Sequence, residues 1–245
     1  MSPLQNETVL VIGGSSGIGF GVAEKALIEG ARVHIASSSA SRVQESVASL
    51  QQKYPGGQVT GHVIDLSSSE VERHLENLLS GIGSTLDHIV YTAGDPLPTL
   101  SIDQIDLEAI HRAGHIRFFV PLLLGKLAPR FLKAGYQSSL TLTTGAGSQK
   151  PFPNWSLISG YLTGLHGLTR NLALDLKPLR VNLVSLGIVK TPMWGSNGVP
   201  ENIQSSMPLG KVGTPLEVAE AYVYLMKDTN ATGSVVSTNS GSLLL

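Results

Sequence analysis

The sequence predicts an α/β domain, a doubly wound parallel sheet with helices on both faces. Short β-rich runs alternate with helical stretches along the whole chain, the pattern of right-handed βαβ units. Those runs are almost continuously apolar, as strands covered on both faces must be. The length agrees, because 245 residues suit one such domain, 1–245, better than two.

The elements follow in order. Thr8–Ile12 reads as the first strand, and Gly19–Glu29 as a helix stopped by Gly30. Arg32–Ala36 is a strand, followed by a helix near Ser41–Lys53. Val59–Ile64 is the third strand and Val71–Leu79 a helix. Leu86–Tyr91 is the fourth strand, and Leu107–Ala134 a long helical region interrupted by Pro121 and Pro129. Ser139–Thr143, the helix Leu157–Leu176 and Arg180–Ser185 come next. Pro215–Lys227 is a late helix, and Ser234–Ser237 a final strand.

Composition narrows the function. Hydrophobic residues are 42% and charged residues 14%, which suits a core-rich enzyme and excludes a disordered chain. The net charge is −1 with no basic block, so nucleic acid is not an expected partner. Without cysteine there are no disulfides or thiolate metal sites, and no metal is expected. No apolar run reaches the roughly 18 residues of a membrane span. The first strand begins at Thr8, leaving little room for a targeting peptide, so the expected compartment is the cytoplasm.

The strongest motif is Val9-Leu10-Val11-Ile12-Gly13-Gly14-Ser15-Ser16-Gly17-Ile18-Gly19. It runs from a strand through a glycine-rich turn into a helix. Glycines there allow a tight turn and a close approach of backbone to a pyrophosphate, whose charge the helix N-terminus stabilises.

The spacing Gly13-x-x-x-Gly17-x-Gly19 resembles the short-chain dehydrogenase/reductase family, whose fold is a single Rossmann-type domain. The resemblance continues along nearly the whole chain. Asp65-Leu66 matches the acidic residue that contacts adenine, and Thr92-Ala93-Gly94 matches Asn-Ala-Gly after the fourth strand. Arg180-Val181-Asn182-Leu183-Val184-Ser185-Leu186-Gly187 matches Arg-Val-Asn-x-(Val/Ile)-x-Pro-Gly, and Thr191 matches the threonine that meets the nicotinamide carboxamide. Pro208–Pro215 resembles the exit of a substrate loop placed near 190–212, and Asn239-Ser240-Gly241 echoes a terminal Asp-Gly-Gly. Ile12, Thr92 and Leu186 depart from the family's Thr, Asn and Pro. The resemblance implies a cofactor site of Gly13, Ser15, Ser16, Gly17, Ile18, Gly19, Asp65, Leu66, Ala93, Gly94, Gly187, Ile188 and Thr191.

Cofactor choice follows from charge. NAD users place a carboxylate at the end of the second strand to bind the ribose 2′-hydroxyl. Here that position is Ser37, within Ser37-Ser38-Ser39, and Arg42 follows. Hydroxyls and an arginine suit a 2′-phosphate, so the expected cofactor is NADP(H).

The resemblance implies a tyrosine acid, a lysine four residues later, a serine and an asparagine at the reaction centre. Counting back from Gly167–Leu174 puts Ile158 at the tyrosine position and Leu162 at the lysine position. Neither side chain can donate a proton. Thr144 falls at the serine position, and His115 lies near the asparagine position. Tyr161 sits one helical turn after Ile158 and is the local alternative acid, with His115 or His166 as the groups able to tune it. It can equally be a packing residue. Pro151, Phe152, Pro153, Trp155 and Trp194 flank the expected substrate pocket and point to a bulky apolar ligand.

The chain resembles fungal secondary-metabolite members of the family that lack the tyrosine–lysine pair. That resemblance implies an NADPH-dependent reductase acting on an iminium or another activated double bond. The alternatives are a non-redox cyclase or isomerase on the same scaffold, and a protein that senses NADP(H) without turnover. A homodimer or homotetramer is implied by the family.

Overall fold

The computed structural model describes residues 4–245. The middle of the fold is the strand β1 (Thr8–Ile12), all five residues of which are buried. Side chains alternate across it. Leu10 and Ile12 enter one core layer, and Val9 and Val11 the other. This two-sided burial is why the strand reads as one apolar run.

Six more strands join it: β2 (Arg32–Ser37), β3 (Val59–Val63), β4 (His88–Tyr91), β5 (Ser139–Gly145), β6 (Arg180–Leu186) and β7 (Val235–Thr238). The order is β3-β2-β1-β4-β5-β6-β7, and every pairing is parallel. Helix α1 (Gly17–Ile28) and helix α8 (Pro215–Lys227) cover one face. On the other, α3 (Val71–Gly81), α5 (Val120–Leu127) and α6 (Ser156–Asp175) pack over Leu10, Ile89, Leu140 and Leu183. Helix α2 (Ala40–Lys53) flanks β2 and β3. The strand order reverses between β2-β1 and β4-β5, and in such sheets ligands bind beyond the strand C-termini at that switch.

Several boundaries move. Helix α1 begins at Gly17, two residues earlier than the motif predicts, and β5 runs on to Gly145. β4 begins only at His88, since Leu86 forms an isolated bridge with Leu132. A short helix, α7 (Glu201–Ser206), lies in the stretch 190–212 and has no periodic signal that announces it.

The largest difference is in the middle of the chain. Leu107–Ala134 is not one helix broken at its prolines. Helix α4 (Leu107–Gly114) passes into a π-helical segment, His115–Phe119, which passes directly into α5. Pro121 therefore sits within the first turn of a continuing helix and does not end one. Backbone accounting explains the wider turn. The Val120 N–H bonds the His115 carbonyl, a five-residue step, and Pro121 has no N–H to offer the Ile116 carbonyl. That carbonyl instead accepts the Tyr91 hydroxyl at 2.6 Å. A side chain from β4 thus supplies the donor that proline lacks, and the π segment is pinned to the C-terminal end of that central strand at the switch region. Among the described residues, no helix is long and apolar enough to cross a membrane.

Candidate active site

A cavity of about 820 Å³ opens beyond the C-terminal ends of β1, β2, β4, β5 and β6. Its floor is the glycine turn. Gly13 and Gly17 have φ of +93° and +53°, the left-handed region that other residues enter only with strain. A Cβ at Gly13 would stand 2.6 Å from the Ala93 nitrogen, so the turn after β1 lies directly on the one after β4. Ser16 precedes α1 in an extended conformation, and its side chain makes no cap hydrogen bond. The first N–H groups of α1 are thus left without a side-chain acceptor where they face the cavity. An uncapped helix N-terminus beside a glycine-rich floor fits a pyrophosphate.

The cavity has two halves, set by the sheet order. Over β1, β2 and β3 the lining includes Ser37, Ser38, Arg42, Asp65 and Leu66. No carboxylate extends from the end of β2. Asp65 accepts from both the backbone N–H and the hydroxyl of Ser67, and those bonds hold its pKa below the usual carboxylate range. This half fits the adenosine end of a dinucleotide.

Over β4, β5 and β6 the lining includes Ala93, Gly94, Thr144, Gly187, Ile188 and Thr191. Beyond them stand apolar walls: Phe152, Trp155, Leu162, Met193, Trp194 and Met207. The Phe152 and Trp155 rings pack with centroids 4.9 Å apart. The Trp194 indole N–H donates to the Val189 carbonyl, which fixes that ring beside the cavity. These walls are aromatic and aliphatic. Pro151 and Pro153 do not line the cavity.

The expected cofactor residues come together almost completely. Ser39 is the exception: it does not line the cavity but N-caps α2, accepting from the Arg42 N–H. The expected catalytic residues divide. Thr144 lines the cavity and is buried, and its hydroxyl donates to the Leu162 carbonyl at 2.9 Å. Its proton is thereby engaged, leaving lone pairs toward a ligand. Tyr161 is not at the cavity. Its hydroxyl donates to the Ile110 carbonyl at 3.0 Å, and its ring packs on Phe118 and Phe119. His115 is also outside, donating from Nε2 to the Leu66 carbonyl. His166 meets the Ser148 hydroxyl, and burial pushes its pKa down. The expectation that Tyr161 and His115 share one reaction centre is therefore corrected. One turn of helix separates Tyr161 from Ile158, but the α6 face that carries Tyr161 packs on α4 and the π segment.

Three cavity residues escape a sequence reading. Tyr91 is buried, and burial raises its pKa far above the usual phenol. Lys150 donates to the Ser242 and Leu245 carbonyls at 3.2 and 2.9 Å, holding the C-terminal turn against the cavity. Arg117 lines the cavity from the π segment. The available signal for Arg117 was its being the one full charge in the apolar run Ile116–Gly125.

Fold and site together define a short-chain dehydrogenase/reductase, and the chain belongs to that family: it matches the SDR-like Rossmann domain over residues 1–245. Among individual proteins it is similar to the short-chain dehydrogenase/reductase ATR9 of Stachybotrys chlorohalonatus. The two are 38% identical over 253 residues, covering 100% of both chains. It is also similar to the MalC reductase/Diels-Alderase of Malbranchea aurantiaca. That structure superposes with a TM-score of 0.93 at 38% identity, covering 100% of this chain and 99% of MalC. A small-chain dehydrogenase solved in complex with NADPH is 27% identical, with a TM-score of 0.79, covering 98% of this chain and 100% of the other.

Proposed function

We propose that this protein is an NADPH-dependent reductase that delivers hydride to an iminium or similarly activated carbon of a bulky, apolar natural-product intermediate. The observation that carries this reading is the state of the protons around the cavity. Among the hydroxyls that line its reaction half, those of Tyr91, Thr143 and Thr144 donate to backbone carbonyls. Leu162 stands where the family's lysine is expected, and Ile158, at the tyrosine position, is fully buried and away from the lining. A ketone accepting hydride becomes an alkoxide and needs an acid. An iminium carbon accepting hydride becomes a neutral amine and needs none.

The residues then divide the work. The turn Gly13–Gly19 and the α1 N-terminus bind the pyrophosphate, and Ser37, Ser38 and Arg42 take the 2′-phosphate. Ile188 and Thr191 orient the nicotinamide end. Phe152, Trp155, Leu162 and Trp194 enclose the substrate and exclude water. Bound NADPH supplies the hydride.

MalC's description as a reductase and a Diels-Alderase favours a second activity in the same cavity. Apolar walls that hold a diene and an alkene in contact accelerate their union by proximity alone. NADPH deuterated at C4 tests both readings with cyclic iminium substrates. Deuterium in the product with loss of cofactor absorbance is expected. A cyclised product without label or absorbance loss would leave only the second activity, and no turnover with intact binding would support a sensing protein.

A further inference from the structure

We propose that Arg117 is the cation that binds the nicotinamide ribose, replacing from the π segment the lysine that α6 does not supply. This rests on the cofactor reading above and names a residue that the family motifs do not contain.

Three observations place it. First, position: the Arg117 guanidinium presents its Nη1 and Nη2 atoms to Gly94, where an added Cβ would sit 3.0 Å from both. Gly94 follows β4, so the charge stands in the half of the cavity over β4, β5 and β6, away from Arg42 over β2. Second, delivery: Ile116 and Arg117 are neighbours in sequence, yet both line the cavity. The widened π turn allows this, and Pro121 together with the Tyr91 hydroxyl holds that turn in place.

Third, the charge is only half used. Nη2 donates to the Asp95 carbonyl, and Nε stands 3.0 Å from the Asp95 carboxylate without hydrogen-bond alignment. Among the described residues, Nη1 donates to no protein acceptor. Arg117 is mostly buried, and that burial lowers its pKa while Asp95 opposes the shift. A buried guanidinium with a free donor arm is costly unless a ligand completes it. The cavity's other cations are committed elsewhere: Lys150 to two carbonyls, Arg42 to the adenosine half. Vicinal ribose hydroxyls offer the acceptor pair that a fork of N–H donors fits.

The test separates the two halves of the cofactor. Titration calorimetry of Arg117→Gln and Arg117→Lys is compared with wild type, using NADPH and adenosine 2′,5′-bisphosphate, which lacks the nicotinamide ribose. Arg117→Gln is expected to weaken NADPH about ten- to a hundredfold, the scale of a lost charge-assisted hydrogen bond. It should leave adenosine 2′,5′-bisphosphate within about threefold, and Arg117→Lys should recover part of the loss for NADPH. Unchanged NADPH affinity in Arg117→Gln overturns the inference, as does an equal loss for both ligands in both variants. If wild type binds neither ligand, the cofactor reading itself fails. If it binds both and Arg117 is neutral, only this assignment does.

Discussion

Single residues decide which chemistry the cavity admits. The hydroxyl of Tyr161 is engaged by the Ile110 carbonyl, and its ring is held by Phe118 and Phe119. Tyr161→Phe should therefore keep most of the turnover. A loss of roughly 10²–10⁴-fold, the usual contribution of a general acid, would return Tyr161 to the reaction centre. Arg42 belongs to the other end of the cavity, beside Ser37 and Ser38. Removing it with Arg42→Ala should cost NADPH about 1–3 kcal/mol of binding while leaving NADH nearly unchanged. Parallel titrations with both cofactors check this, and equal losses would mean that no 2′-phosphate sits there.

At the scale of elements, the π segment is the feature that departs most from regular structure. It needs one proline and one tyrosine from different parts of the chain. Proline alone leaves the Ile116 carbonyl without a backbone donor, and Tyr91 fills the gap from β4. Tyr91→Phe keeps the ring and removes only that donor. It should destabilise the fold by about 1–3 kcal/mol, the penalty for a buried acceptor left unsatisfied. The urea midpoint reads this directly, and a midpoint equal to wild type would show that the carbonyl finds another partner. Helix α8 is the contrasting case, since its start is wholly local. Thr214 and Glu217 form a reciprocal capping box, with Pro215 in the first turn, and the sequence reading placed both ends of this helix as observed.

For the whole molecule, acid should loosen the sheet at its β2–β3 edge. His34 and His62 stack there with Nδ1 and Nε2 2.9 Å apart. That contact needs one donor and one acceptor, so the pair cannot be doubly protonated and keep it. Burial first, then the charges of His62 and Arg32, push His34 down to about 4, and burial lowers His62 as well. Both folded values lie below the ordinary histidine value of 6.5. Between pH 6.5 and about 4 the unfolded chain binds more protons, so stability is complete at neutral pH and falls as pH drops through that window. The urea midpoint at pH 5 should lie below that at pH 7, and His34→Gln should narrow the gap. An undiminished gap in the variant would assign the acid sensitivity elsewhere.

How much was legible in the sequence depends on how far each feature reaches along the chain. The strands, the glycine turn and the caps are local. β1 is Thr8–Ile12 because an apolar run meets glycines that only a tight turn tolerates, and α8 begins where its capping residues stand. That the sheet is parallel followed from those pieces, because strands joined through helices pair side by side in one direction, while the strand order came only with the structure. The cavity lining around the glycine turn came with the parallel sheet, since its residues are contiguous or end neighbouring strands. The reaction half did not. Whether Tyr161 faces the cavity or α4 depends on the rotation of α6 against elements distant in sequence, and an error of one helical position reverses the answer. Arg117 reached the cavity through a π turn whose missing donor comes from Tyr91, 25 residues before the Ile116 carbonyl that accepts it. Sequence by itself determined the strands, their glycine floor and the cofactor class to expect. Only the tertiary packing decided which charges and hydroxyls line the cavity, because side-chain direction is set by helix phase and by contacts that local pattern does not encode.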